Sequence, residues 1–157
     1  MKKTTKLLAF FLALVMTLLG AMPIAVTQSS FAQKAYSGKF GQIAAGGGHS
    51  MAIKSDGSLL VWGANDKYQL GFGDMRDREI PSKRMDGVVF VSAGNSHSLA
   101  ILNDGSLWAW GDNAFNQLGV DGIELSKTPT KIMDGVSFVS AGTLHSLAIK
   151  TDGSLWA

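Results

Sequence analysis

One phrase of eleven residues is written three times in this chain at a fixed spacing of 48 residues. The run from His49 to Leu59 (HSMAIKSDGSL) returns as His97 to Leu107 (HSLAILNDGSL) and again as His145 to Leu155 (HSLAIKTDGSL). Beyond it, Trp62-Gly63-Ala64-Asn65 and Gln69-Leu70-Gly71 return as Trp110-Gly111-Asp112-Asn113 and Gln117-Leu118-Gly119, and Pro81 returns as Pro129. A period of this length marks an array of supersecondary units, none of which buries its apolar face alone. The chain is therefore expected to fold as like units packed against one another.

Each unit reads as β. Val88 to Ala93 is a short β-branched and aromatic run, Ser98 to Leu102 a second and Leu107 to Trp110 a third, each bounded by Gly, Asn or Asp. Asp56, Asp104 and Asp152 sit in Asp-Gly hairpin turns. There the aspartate bonds the turn backbone, and Gly57, Gly105 and Gly153 supply the positive φ. A fourth strand is expected between Lys127 and Met133, at an edge because Pro129 cannot donate to a ladder. Along Leu107-Trp108-Ala109-Trp110, alternation puts apolar side chains on both faces, so the sheet must lie between two others. Radial repetition of small sheets, a β-propeller, meets that demand. A β-solenoid is the alternative, although its coils are usually shorter. No helical periodicity follows residue 33.

The N-terminus is of another kind. Lys2, Lys3 and Lys6 precede an apolar run from Leu7 to Leu19, interrupted only by Thr17 and broken by Gly20 and Pro23, the layout of a secretory signal peptide. Ser30-Phe31-Ala32 places small residues where a signal peptidase needs them, so cleavage is expected between Ala32 and Gln33, with Ala25 and Ala21 as secondary sites. An uncleaved anchor over Leu7 to Val26 is the alternative, since that stretch could just span a bilayer. No cysteine follows to carry a lipid. Removing residues 1–32 takes the net charge from +2 to −1 and leaves no clustered Lys or Arg, so no nucleic-acid partner is expected. The chain has no cysteine, so an exported protein of this sequence must be held by packing alone. The expected location is secreted or cell-surface, with membrane contact only through the signal peptide.

The order Ala-Gly-x-x-His-Ser-Leu-Ala-Ile-x-x-Asp-Gly-Ser-Leu-x-x-Trp-Gly-x-Asn followed by Gln-Leu-Gly, read from Ala93 to Gly119, resembles the repeat of the regulator of chromosome condensation (RCC1) family, in its secreted bacterial form. The resemblance covers residues 43–157. A tryptophan-aspartate repeat would need Asp after Trp62 and Trp110, where Gly stands. The family resemblance implies a seven-bladed propeller, of which this chain would supply about two and a half blades. The expected fold is thus an all-β partial propeller after a signal peptide (1–32) and a short lead-in (33–42), with copies over 43–90, 91–138 and a truncated 139–157, a fragment of a longer protein. The last copy is expected to present an unpaired edge and an uncovered apolar face.

His49, His97 and His145 fall one to a blade and are read as structural, each expected to satisfy buried backbone groups near a strand start. A ring of the three around one metal ion is the alternative and would need all of them about 2 Å from it. Trp62, Trp108, Trp110 and Trp156 are expected in the core between blades. Gly46-Gly47-Gly48 lacks the Lys-Ser/Thr and the following helix of a phosphate loop. No nucleophile and base stand apart from the repeat, so no catalytic residue, metal or cofactor is expected and the chain is read as no enzyme.

Function is expected where the copies differ. Phe72 to Arg84 and Val120 to Lys131 fill one interval with unrelated residues, and Met75, Arg76, Arg78 and Glu79 are the candidate partner-facing patch. The expected function is an exported, non-catalytic protein-binding scaffold whose partner is a protein. The resemblance implies others: nucleotide exchange on a small GTPase, as in the founding member; inhibition of a β-lactamase, as in a secreted bacterial member; or targeting of a downstream domain.

Overall fold

The computed structural model describes residues 38–157, so the expected signal peptide and cleavage site lie outside the described residues. The described chain is a succession of strands: β1 Phe40–Ala45, β2 His49–Lys54, β3 Leu59–Gly63, β4 Arg78–Met85, β5 Val88–Ala93, β6 His97–Leu102, β7 Leu107–Asp112, β8 Leu125–Met133, β9 Val136–Ala141, β10 Ser146–Lys150 and β11 Leu155–Trp156. They form three antiparallel meanders in chain order, β1-β2-β3-β4, β5-β6-β7-β8 and β9-β10-β11. These are successive propeller blades. The sheets divide at Asp86-Gly87 and Asp134-Gly135.

The hairpins form as their composition dictates. Asp56, Asp104 and Asp152 each accept, through Oδ1, the backbone N–H two residues on at 2.9 Å. Gly57, Gly105 and Gly153 follow at φ of 80°, 77° and 85°, where a Cβ would be strained. The turn also ties blade to blade: the carbonyl of Gly57 accepts Val88 N–H at 3.0 Å, and that of Gly105 accepts Val136 N–H at 2.9 Å.

The fourth strand takes its expected outer place, carrying Pro81 in β4 and Pro129 in β8. It is longer than the sequence pattern indicates. Pairing of Gly63 with Arg78 starts β4 early, so Arg78 and Glu79 belong to a strand rather than to a loop.

The second sheet is apolar on both faces for the anticipated reason, since it lies between the other two. Met51, Leu59, Val61 and Leu70 of the first blade close a core with Val88, Val91, Ala100 and Trp110 of the second. Leu99, Leu107, Ala109 and Leu118 of the second close another with Val136, Val139 and Ala148 of the third. Trp110 is fully buried. At about 25 cal/mol per Å² over roughly 200 Å², that one side chain contributes on the order of 5 kcal/mol before entropy is counted.

Of the other tryptophans, Trp108 keeps to the expectation in part, while Trp62 and Trp156 depart from it. Trp108 is half-buried against the first core, Trp62 is half-buried, and Trp156 is 51% exposed. The cause is directional. The repeat's tryptophans pack backward onto the preceding blade, which Trp62 lacks among the described residues, and Trp156 lies on a strand paired only with Ala148 and Ile149.

Candidate functional site

The three histidines begin the second strand of each blade or stand just before it. His49 and His97 are almost wholly buried, and His145 is exposed. The expected bond from histidine to backbone is replaced by a two-step bridge. His49 Nε2 lies 2.8 Å from Ser98 Oγ on the next blade, and Ser98 Oγ donates at 2.8 Å to the carbonyl of Gln69, back on the first blade. The arrangement repeats one blade on, with His97 Nε2 3.0 Å from Ser146 Oγ and that hydroxyl donating at 2.6 Å to the carbonyl of Gln117.

A hydroxyl has one proton, and here the carbonyl takes it, so each histidine must donate from Nε2 and carry its lone pair on Nδ1. Neither Nδ1 has a hydrogen-bond partner. Burial pushes the pKa of His49 down to about 4, with His97 adding to the effect. Burial likewise lowers that of His97 to about 4, opposed by Asp112 and assisted by His145. The imidazoles are neutral links between blades. Among the described residues no group of three or more His, Cys, Asp or Glu could hold a metal ion.

The repeated Asn and Gln are loop braces. Asn65 Oδ1 accepts Leu70 N–H at 2.9 Å while its Nδ2 donates to the Asp74 carbonyl at 2.6 Å. Asn113 makes the matching bond to Leu118 N–H at 2.9 Å and donates to the carbonyls of Val120 and Ile123. Gln69 and Gln117 each accept the backbone N–H two residues before them, at 2.8 and 2.9 Å. Sequence reading had these residues in the motif without a role; their only signal there was recurrence.

Exposed side chains also lie in the loops where the copies differ. Met75 is 54% exposed at the tip of the β3–β4 loop, with Arg76 and Glu79 exposed beside it. Arg78 is otherwise engaged. Its guanidinium pairs with Asp74 at 2.9 Å, donates to the Arg76 carbonyl and lies 4.8 Å from the centre of the Phe72 ring. Arg78 holds the Asp74 carboxyl below its ordinary pKa. Of the four patch candidates, three face solvent and one shapes the loop. The matching β7–β8 loop exposes Phe115 (65%) and Ile123, which the sequence reading missed. Phe115 takes the position of Lys67 in the first copy, and that exchange was the available signal. Such a surface can hold a partner by contact.

Two family models, both described as regulator of chromosome condensation (RCC1) repeat, match the chain, one over residues 42–69 and 88–117 and the other over 56–101 and 104–149. Among curated proteins, a human probable E3 ubiquitin-protein ligase, HERC3, is 44% identical over 55 residues, which is 32% of this chain and 5% of that protein. The ultraviolet-B receptor UVR8 of Arabidopsis thaliana is 43% identical over 42 residues, 27% of this chain and 10% of the receptor. The chain thus spans a tenth or less of these relatives. A chain in the crystal structure of Kap60 bound to yeast RCC1 (Prp20) superimposes with a TM-score of 0.67 at 26% identity, covering 74% of this chain and 31% of that one. Human WBSCR16 gives a TM-score of 0.69 at 21% identity, over 77% and 33% of the two chains.

Proposed function

Because the chain belongs to the RCC1 repeat family, we propose that it is an exported, non-catalytic scaffold that binds another protein through the loops joining the third and fourth strands of its blades. One observation carries the reading. The recurring polar side chains, His, Ser, Asp, Asn and Gln, are spent on holding blades and loops, while the loops that differ between copies carry exposed Met75 and Phe115. The Prp20 propeller of Saccharomyces cerevisiae, 24% identical, has been described with binding properties to Gsp1p and histones, so kinship accords with protein partners. The signal-peptide pattern and the mature net charge of −1 support an extracellular protein partner rather than chromatin.

The experiment compares the full chain with a double variant, Met75→Ser with Phe115→Ser, as baits for exported proteins of its own source, with equal unfolding midpoints as the control. The scaffold reading expects a protein retained by the parent chain and lost by the variant. Retention that ignores the loop substitutions overturns it, as does acceleration of nucleotide release from a small GTPase at catalytic concentrations, which favours the exchange factor implied by kinship.

A further inference from the structure

The second copy of the repeat shows which side chains the blade accepts at each position, and the first copy departs from it at a cost. Tyr68 and Asn116 stand at one position of the repeat, and both have φ of 59°. Asparagine enters that left-handed region readily, whereas a tyrosine there is strained. Arg84 stands where the second copy has Ile132, and Phe72 where it has Val120. The fold is satisfied by an asparagine, an isoleucine and a valine at these places. It does not call for the tyrosine, the arginine or the phenylalanine.

All three belong to the seam between the first and second blades, both sides of which are present among the described residues. A Cβ added to Gly71 would fall 3.1 Å from Arg84 Nε and 2.9 Å from the Trp110 ring of the second blade. The Arg84 guanidinium carbon lies 5.6 Å from the centre of the Phe72 ring, and its Nε is closed to solvent with no acceptor. Burial lowers the pKa of this group, yet a guanidinium stays charged. From the second blade, Lys127 places its Nζ 5.5 Å from the centre of the Tyr68 ring, and its carbonyl accepts Gly73 N–H at 2.9 Å. Two cations thus border the segment from Tyr68 to Gly73, one from each blade.

Neither cation has a carboxylate of its own. The ion pairs among the described residues join Arg78 to Asp74, Lys83 to Asp86 and Lys131 to Asp134, and no acidic residue stands before Asp56. The acids of the loop are engaged elsewhere: Asp66 accepts from Gln69 Nε2 at 3.0 Å, Asp74 holds Arg78, and Asp77 accepts Asn65 N–H at 2.8 Å. The two rings attract the cations without neutralising them, because an aromatic face carries no net charge. A guanidinium stacked on a ring keeps its edge for a planar carboxylate.

We propose that this seam is a docking site for an acidic segment of a partner protein, with one carboxylate on the Arg84 guanidinium and a second on the Lys127 ammonium. The occupant follows from charge complementarity. A half-buried cation without a counter-charge is unfavourable in the free chain, and an incoming carboxylate removes that penalty. The chain as a whole has a net charge of only +2, so attraction of an acidic segment is set by this place and not by an overall field. The proposal rests on the scaffold reading and deepens it by naming a partner chemistry. It belongs to the first loop alone, since the second carries Asn116 and its strand carries Ile132.

The test follows the full chain by calorimetry and by NMR of backbone amides as hexaglutamate is added at low ionic strength, with hexaglutamine and inorganic phosphate as comparison probes. The expected result is saturable binding of hexaglutamate alone, with amide shifts at Gly71, Phe72 and Gly73. Arg84→Ile should weaken it by roughly tenfold or more, and Lys127→Glu should weaken it too. Arg84→Ile should also raise the unfolding midpoint, because an unpaired half-buried charge gives way to the side chain that the second copy carries there. A fall in the midpoint makes the arginine a structural brace and overturns the proposal. Undiminished binding by Arg84→Ile overturns it, as does no binding at millimolar hexaglutamate. Phosphate that binds as tightly as the peptide also overturns it, by making the site one for a free anion. A natural partner that the Met75 and Phe115 variant loses and the Arg84→Ile variant keeps upholds the scaffold reading while overturning the acidic segment, so the two fail separately.

Discussion

His49 and Ser98, on neighbouring blades, approach to 2.8 Å in a site closed to solvent, and the serine hydroxyl donates its own hydrogen bond to the Gln69 carbonyl. Removing that hydroxyl strands a donor on the histidine and reduces the bonding of a carbonyl. Each orphaned buried polar group costs about 1–3 kcal/mol. Since the carbonyl keeps its bond from the Trp110 indole, one group is orphaned, and Ser98→Ala is expected to destabilise the chain by about 1–3 kcal/mol in urea unfolding. Ser146→Ala, at a half-buried position in the last blade, should cost less. Equal costs would show that the bridge is not what joins the blades.

The same bridges make the protein acid-sensitive. The pKa values of His49 and His97 are lowered from 6.5 to about 4 in the folded chain, so the unfolded state binds more protons between those limits. Their contribution is complete above pH 6.5 and is lost as pH falls toward 4. At 1.36 kcal/mol per unit, each histidine accounts for roughly 3 kcal/mol across that window. Charging puts a proton on Nδ1, where no acceptor waits. Unfolding midpoints should be flat above neutrality and drop steeply below pH 6, and imidazole NMR should show both rings neutral at pH 5. Rings that titrate near 6.5 would contradict the burial argument.

Strand positions, hairpin turns and two-faced sheets were legible in the sequence because each rests on a pattern within a few residues: alternation at Leu107-Trp108-Ala109-Trp110, or an Asp-Gly pair between apolar runs. The blade-to-blade bridge was not. His49 and Ser98 belong to two separate columns of the repeat, and they meet only because one blade is displaced onto the next. The start of β4 was hidden for a related reason. Arg78 and Glu79 have weak strand preference, and pairing with Gly63 recruits them. Phe115 was hidden because it stands inside the recurring turn, ahead of the interval from Val120 to Lys131 where the copies diverge, and its exposure follows from the way Gln117 and Asn113 brace that turn around it.

Gly71 and Gly119 separate ring packing from backbone strain. Both have positive φ, 75° and 72°, so alanine at either incurs the left-handed cost of about 1–2 kcal/mol. Only Gly71 lies against a ring, with the added Cβ 2.9 Å from Trp110. Gly71→Ala is expected to cost at least about 1 kcal/mol more than Gly119→Ala, since overpacking a filled core costs about 1–3 kcal/mol. Chemical denaturation of the pair measures the difference, and equal losses would mean that the indole shifts freely.

Arg78 and Met75 lie three residues apart and should fail in different ways. The Arg78 guanidinium joins Asp74, the Arg76 carbonyl and the Phe72 ring, so it fixes the course of the loop, while Met75 extends into solvent from that loop. Partly exposed ion pairs contribute little to global stability, so Arg78→Ala should barely move the unfolding midpoint. It should instead raise amide exchange from Asp74 to Arg76, because the guanidinium bonds to the Asp74 carboxylate and the Arg76 carbonyl are lost. Met75→Ser should leave both stability and exchange unchanged. A partner that uses this loop then responds to the two substitutions for different reasons. With Met75→Ser, binding weakens through faster dissociation, as when a buried contact is removed; with Arg78→Ala, association also slows, because the loop must be ordered before it can dock. If Met75→Ser raises exchange as much as Arg78→Ala does, the methionine supports the loop and is not a free contact.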